Sequence, residues 1–204
     1  MAVLALALLA VWLLLVAGLR TVIQLRRTGD VSAPHFRDRP GSPQWWARLL
    51  SAVGFACAVA APLAELAGLE PIAILDRSPV RAAGVVLAVL GIAATLAAQL
   101  AMGASWRPDV DPDARTALVT GGPFRLVRNP IFTATAATAL ALIVPNLVAA
   151  AMLATFFAAL QVQVRLVEEP YLHRVHGTAY DRYAARTGRF LPWIGRQRQG
   201  AGSA

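Results

Sequence analysis

Apolar residues along the chain gather into long blocks, separated by short segments that hold nearly all the charge. A helix that crosses a bilayer needs about 20 mostly apolar residues. Residues 2–23 meet that length, as do 49–69, with Glu65 near the end, and 82–102. The block 131–167 is too long for one crossing and is interrupted at Pro145-Asn146. Proline removes a backbone donor and clashes with the preceding turn. This block therefore reads as a hairpin of two helices, 131–144 and 147–167, the first of them short. The pattern predicts an all-α polytopic membrane protein with about five spans. Three of them occupy 1–103, and 104–204 adds a loop, the hairpin and a C-terminal segment, all as one integral unit.

The first block carries no positive charge before it, exceeds the usual h-region length of about 7–15 residues, and is followed by arginines, so it reads as an uncleaved span. Composition agrees with membrane insertion. Of the 204 residues, 57% are hydrophobic and only 15% charged, too few polar side chains to cover a soluble surface. The net charge of +8 does not point to nucleic acid, because the arginines flank apolar blocks instead of forming a stripe interleaved with aromatics. All 19 basic residues are arginine, which together with the abundant alanine suggests a GC-rich bacterial genome.

The arginines also orient the chain. Six lie in 20–48, four in 107–128 and seven from 165 to the C-terminus, against only Arg77 and Arg81 between the second and third spans. The positive-inside rule then places the N-terminus outside an inner or plasma membrane, and the loops after the third and fifth spans in the cytoplasm. The five tryptophans, Trp12, Trp45, Trp46, Trp106 and Trp193, mostly fall near predicted interfaces. Cys57, the single cysteine, lies within an apolar block and reads as a buried structural thiol.

Two polar cassettes at block edges are the candidates for chemistry. In the first, Leu118, Val119 and Thr120 lead to Gly121-Gly122-Pro123, where backbone amides stand with little side-chain cover beside a helix start. Arg128-Asn129-Pro130 then opens the fourth block, with asparagine a good N-cap and proline tolerated in the first turn. The preceding Asp109, Asp111 and Asp113 lack the glycine and terminal glutamate of a calcium loop and read as a solvated turn. The second cassette opens on Glu168-Glu169-Pro170-Tyr171 at the end of the fifth block. Adjacent carboxylates repel, are costly to bury at a membrane surface, and face an unfavourable helix dipole. They call for a cationic partner: Arg128, Arg165, Arg186, Arg189 or a positively charged ligand. Beyond Pro170, Leu172, Val175, His176, Ala179 and Tyr183 keep helical spacing, which predicts a cytoplasmic amphipathic helix folded back on the bundle, with Tyr180 and Tyr183 one turn apart. His173 and His176 have no third ligand at useful spacing, so no metal site is expected.

The first cassette, read through Leu126-Val127-Arg128-Asn129-Pro130-Ile131-Phe132, and the second, read through Gly177, Tyr180, Tyr183, Arg186 and Phe190-Leu191-Pro192, resemble the isoprenylcysteine carboxyl methyltransferase family and its relatives among membrane phospholipid methyltransferases. The likeness covers roughly 99–194. It implies S-adenosylmethionine as cofactor and a lipid-like or amphiphilic acceptor bearing a carboxylate, amine or hydroxyl. It implies a cofactor pocket lined by Leu118, Val119, Thr120, Gly121, Gly122, Arg128, Asn129 and Phe132, and completed by Tyr180, Tyr183 and Pro192. Glu168 or Glu169, with Arg186, would lie closest to the chemistry. Asn129 and Phe132 stand where the family pattern has histidine and tyrosine, so any hydrogen bond from those rings is lost. An NADPH-dependent membrane sterol or enone reductase shares the C-terminal pattern and is the alternative; a non-catalytic scaffold would leave the paired glutamates without purpose.

Overall fold

The computed structural model describes residues 1–29, 38–106, 117–141 and 144–197. Arg107 and the aspartates at 109, 111 and 113, with the expectations that fell on them, lie outside the described residues.

All five apolar blocks form helices. Four are long and apolar enough to cross a membrane: α1 (Ala2–Thr28), α2 (Pro43–Leu66), α3 (Ser78–Ala101) and α5 (Leu147–His176). The helix of the block's first half, α4 (Pro130–Leu140), is shorter than expected at 11 residues. At 1.5 Å per residue it extends about 17 Å, roughly half of a bilayer's hydrocarbon core. Of about five spans expected, four are helices of crossing length and the remaining one, already read as short, is a short apolar helix. A final short helix, α6 (Thr178–Arg186), follows.

The C-terminal segment also departs from the single amphipathic helix expected after Pro170. Pro170 does not end α5. The helix widens into a π-turn over Gln163–Glu168 just before it and continues to His176. A wider turn relieves the hydrogen bond and clash that proline would otherwise impose on the preceding turn. The break comes at Gly177, whose φ of 50° few other residues tolerate. The expected amphipathic segment is thus divided between the end of α5 and the short α6.

The bundle places large apolar side chains outward and small or polar ones inward. Leu14, Val86, Leu90 and Leu147 are exposed, while α3 buries Ala88, Gly91, Thr95, Ala98 and Gln99. Such a surface suits lipid, where close packing of small residues drives helix association. α2 packs mainly on α5, and α3 on α4. At Gly91 an added Cβ would collide with Thr138 Oγ1 and stand 2.9 Å from the Thr138 nitrogen.

Polar contacts fix the bundle's two ends. At one end Asn146 caps α5 by accepting from the Ala149 amide at 3.0 Å and donates to the Ala61 carbonyl at 2.9 Å, so the predicted break at Pro145-Asn146 is real. At the other end α1 carries a fully buried Arg20, which donates to the Gly103 carbonyl at 2.7 Å and lies 4.4 Å from the Trp106 ring centroid. Trp106 is thereby an internal cation–π partner and not an interfacial ring. Ser42 starts α2 by accepting from the Trp45 amide at 3.2 Å. Cys57 is half-buried and unpaired.

Candidate functional site

A cavity of about 950 Å³ runs between α1, α2, α3, α4 and α5. Its walls are mostly apolar, from Leu8, Phe55 and Ile92 to Phe132 and Phe156. Toward the Arg20 end the lining turns polar: Arg48, Ser105, Arg128, Asn129, Gln163 and Glu168. An apolar chamber ending on a few convergent polar groups is the shape of a site for an amphiphile.

The adjacent glutamates at that end diverge. Successive helical residues project about 100° apart, at 3.6 residues per turn. Glu168 lines the cavity and accepts from Gln163 Nε2 at 3.1 Å. Glu169 turns the other way into a buried cluster, where Arg128 Nη2 donates to its Oε1 at 2.6 Å. Arg189 binds the same carboxylate through both oxygens, Nε to Oε1 and Nη2 to Oε2, each at 2.8 Å. Gln197 Nε2 adds a bond at 3.2 Å. Two guanidiniums on one carboxylate resolve the repulsion that the sequence left unexplained. Charge-assisted bidentate pairs of this kind are strong and directional. The bond to Glu169 also raises the affinity of Arg189 for its proton.

The cluster closes the C-terminal segment onto the start of α4. Arg128 is buried, and its two Nη atoms also donate to the carbonyls of Ala184 (3.1 Å), Thr187 (2.6 Å) and Gly195 (3.1 Å). Its amide bonds Gly188 O at 2.8 Å, and a parallel bridge pairs Val127 with Gly188. The amide and Nδ2 of Asn129 both donate to Arg189 O at 3.1 Å. Asn129 occupies the N-cap position of α4, but its side chain caps nothing; it serves this closure. Thr133 Oγ1 reaches Phe190 O at 2.8 Å.

The tyrosines sit behind the cluster, 6.3 Å apart in an edge-to-face pair. Tyr183 donates to Phe124 O at 2.7 Å, tying α6 to the loop before α4. Tyr180 is buried with its hydroxyl unpartnered. Burial, then the negative Glu169, pushes Tyr180 up to about 12, and burial raises Tyr183 as well.

The other expected residues fall as follows. Arg128, Asn129, Phe132 and Glu168 line the cavity, while Glu169, Tyr180 and Tyr183 form the layer behind it. Leu118 and Val119 are half-buried, and Thr120, Gly121 and Gly122 are exposed on the loop leading to α4. Gly122 adopts a φ of 57°, and a Cβ on Gly121 would meet nothing within 4 Å. Arg186 is exposed at the end of α6 and takes no part in the Glu169 cluster; Arg189, named in the sequence only as one of several cationic partners, fills that place. Pro192 is exposed in the terminal turn. Gln163 and Tyr171, which also line the cavity, carried no sequence signal beyond helical position.

Residues 80–179 match the model of a family described as phospholipid methyltransferase. The match spans α3, the first cassette, α4, α5 and the start of α6. No curated protein matches the chain.

Proposed function

We propose that the chain, whose residues 80–179 match the phospholipid methyltransferase family, is an integral membrane S-adenosylmethionine-dependent methyltransferase acting on a lipid-like, amphiphilic acceptor. The observation that carries this reading is the chamber itself: mostly apolar walls, with Glu168, Asn129 and Arg128 among the polar groups that line it.

The residues fit the cofactor. Glu168 offers a carboxylate to a cationic group, Phe124 and Phe132 offer apolar walls, and the open Gly121-Gly122 backbone admits a polar ligand closely. When bound, S-adenosylmethionine supplies an electrophilic methyl group on a positively charged sulfur. Displacement at that carbon gains most from alignment and electrostatics, so the chain's task is to hold two partners in line and exclude water. In this reading Glu168 neutralises positive charge at the polar end, and it also accepts the proton of an amine or hydroxyl acceptor. A carboxylate acceptor, already ionised, would instead require a guanidinium clamp. Glu169, Arg128 and Arg189 act as positioning residues, since they lock the C-terminal segment against the loop that carries Asn129. Tyr180, Tyr183 and the 118–122 backbone border the cofactor, as the family resemblance implies. The 17 arginines on the cassette side support a site, and a C-terminal segment, at the cytoplasmic face of an inner or plasma membrane, with α4 as a fifth, partial span.

Calorimetry of the purified protein with S-adenosylhomocysteine tests the cofactor. Saturable one-site binding that weakens in Glu168→Gln is expected, and absence of binding to the wild-type protein would overturn the proposal.

A further inference from the structure

The C-terminal segment ends in a turn that its own fold does not explain. Ile194 N donates to Leu191 O at 3.2 Å, closing Leu191-Pro192-Trp193-Ile194. Trp193 has a φ of 65° and is the one non-glycine with positive φ among the described residues. Proline followed by a residue with positive φ is the pattern of a type II turn, whose third position belongs to glycine. A bulky side chain there is disfavoured and persists only when something compensates. Intramolecular packing does not: the Trp193 side chain is 75% exposed.

Its neighbours are exposed too, Leu191 at 53%, Ile194 at 64%, and Leu126, beside the Val127–Gly188 bridge, at 66%. Arg125 and Arg196, which adjoin Leu126 and Gly195 in sequence, and Arg186 at the end of α6 are exposed and without ion pairs among the described residues. The turn is nevertheless held firmly. Arg189 N donates to Ile194 O at 2.8 Å, and a Cβ on Gly188 would lie 2.8 Å from Ile194 O and 2.9 Å from Trp193 N. Thr133, in the first turn of α4, bonds the carbonyl of Phe190 just before the turn. The patch therefore lies beside the start of an apolar helix, at the height where that helix leaves the membrane.

We propose that the Leu191–Ile194 turn is an interfacial membrane anchor, with Trp193, Leu191 and Ile194 seated at the boundary between headgroups and acyl chains. The exposed arginines then meet lipid phosphates. An amphipathic aromatic ring, apolar neighbours and unpaired guanidiniums match that layer of a bilayer. A water-exposed loop gains nothing from them. Because Gly195 O and Gln197 bind the Arg128–Glu169 cluster, the bilayer itself would hold the closure behind the cavity. The inference rests on insertion of the helices and not on the reaction catalysed.

Site-directed spin labelling in nanodiscs of zwitterionic and anionic phospholipid tests it, with Cys57→Ala as background. A nitroxide at Ile194→Cys leaves Trp193 in place, and Arg182→Cys, exposed on α6, supplies the aqueous reference. A several-fold higher ratio of oxygen to nickel-chelate accessibility at 194 than at 182 is expected. Adding Trp193→Gly, which the backbone accepts, should return the label toward the aqueous ratio without lowering the melting temperature. An aqueous ratio at 194 in the parent would overturn the anchor. So would protection from both reagents on adding S-adenosylhomocysteine, which would show the turn closing on ligand instead.

Discussion

The divergence of Glu168 and Glu169 makes a sharp prediction, because two neighbouring carboxylates should fail in opposite ways. Glu169→Gln removes the charge that holds Arg128 at 2.6 Å and Arg189 through two bonds of 2.8 Å. The side chains of Arg128 and Arg189 are 2% and 19% exposed, so water does little to compensate. Breaking a buried pair from one side costs about 3–5 kcal/mol. Arg128 keeps its carbonyl acceptors, which sets the expectation at the lower end, about 3 kcal/mol. For a chain of this size that is a fall in melting temperature of about 6–12 °C. Glu168→Gln leaves the Glu169 cluster intact and changes the charge at the cavity wall, so its fall in melting temperature should be well below that of Glu169→Gln. Its cofactor binding and turnover should collapse. Thermal melts followed by intrinsic fluorescence, beside a methyl-transfer assay, read both effects. An unaltered melt for Glu169→Gln, or full activity for Glu168→Gln, would refute the division of roles.

The tyrosine pair separates in the same manner. Tyr183→Phe loses the bond to Phe124 O and should cost about 1 kcal/mol, whereas Tyr180→Phe removes a buried unpartnered hydroxyl and should leave the melt unchanged or raise it. Alkaline titration adds a pH window. Tyr180 is held neutral up to about 12, against about 10 when unfolded, so its stabilising contribution is complete below pH 10. It is lost as pH rises from 10 to 12, and a melting temperature flat across that interval would contradict the burial argument. Gly91→Ala should separate α3 from α4 at Thr138 and lower the melting temperature, while Gly121→Ala, which meets nothing, should not.

What the sequence disclosed, and what it withheld, follows from physics of different range. Apolar length and the breaker at Pro145-Asn146 are local, and the helices follow them. The need for a cation near Glu168-Glu169 was legible as an unpaid electrostatic cost. Its answer was not, because choosing Arg128 and Arg189 over Arg186 depends on the turn at Gly177 and on the Val127–Gly188 pairing, both tertiary. The π-turn that lets α5 run through Pro170 left no periodicity to read, and the continuous stripe across Gly177 suggested one helix where a positive φ makes two. Hydropathy extended the fourth block to 144, although the helix described there ends at Leu140. Asn129 looked like a cap because capping is the local use of asparagine, yet a partner 60 residues away takes its amide. Arg20 was counted only as a charge flanking a span; nothing nearby in sequence signals its burial against Trp106.

The central claim is that the polar end of the chamber, at Glu168, supports methyl transfer to an amphiphile. Its most direct test is transfer of labelled methyl from S-adenosylmethionine into the organic-phase lipid fraction by the protein in nanodiscs, wild type beside Glu168→Gln. Label entering lipid with the wild type, and lost in a variant that melts normally, is the predicted result. No incorporation by the wild type with any lipid fraction supplied, or equal incorporation by the variant, would contradict it.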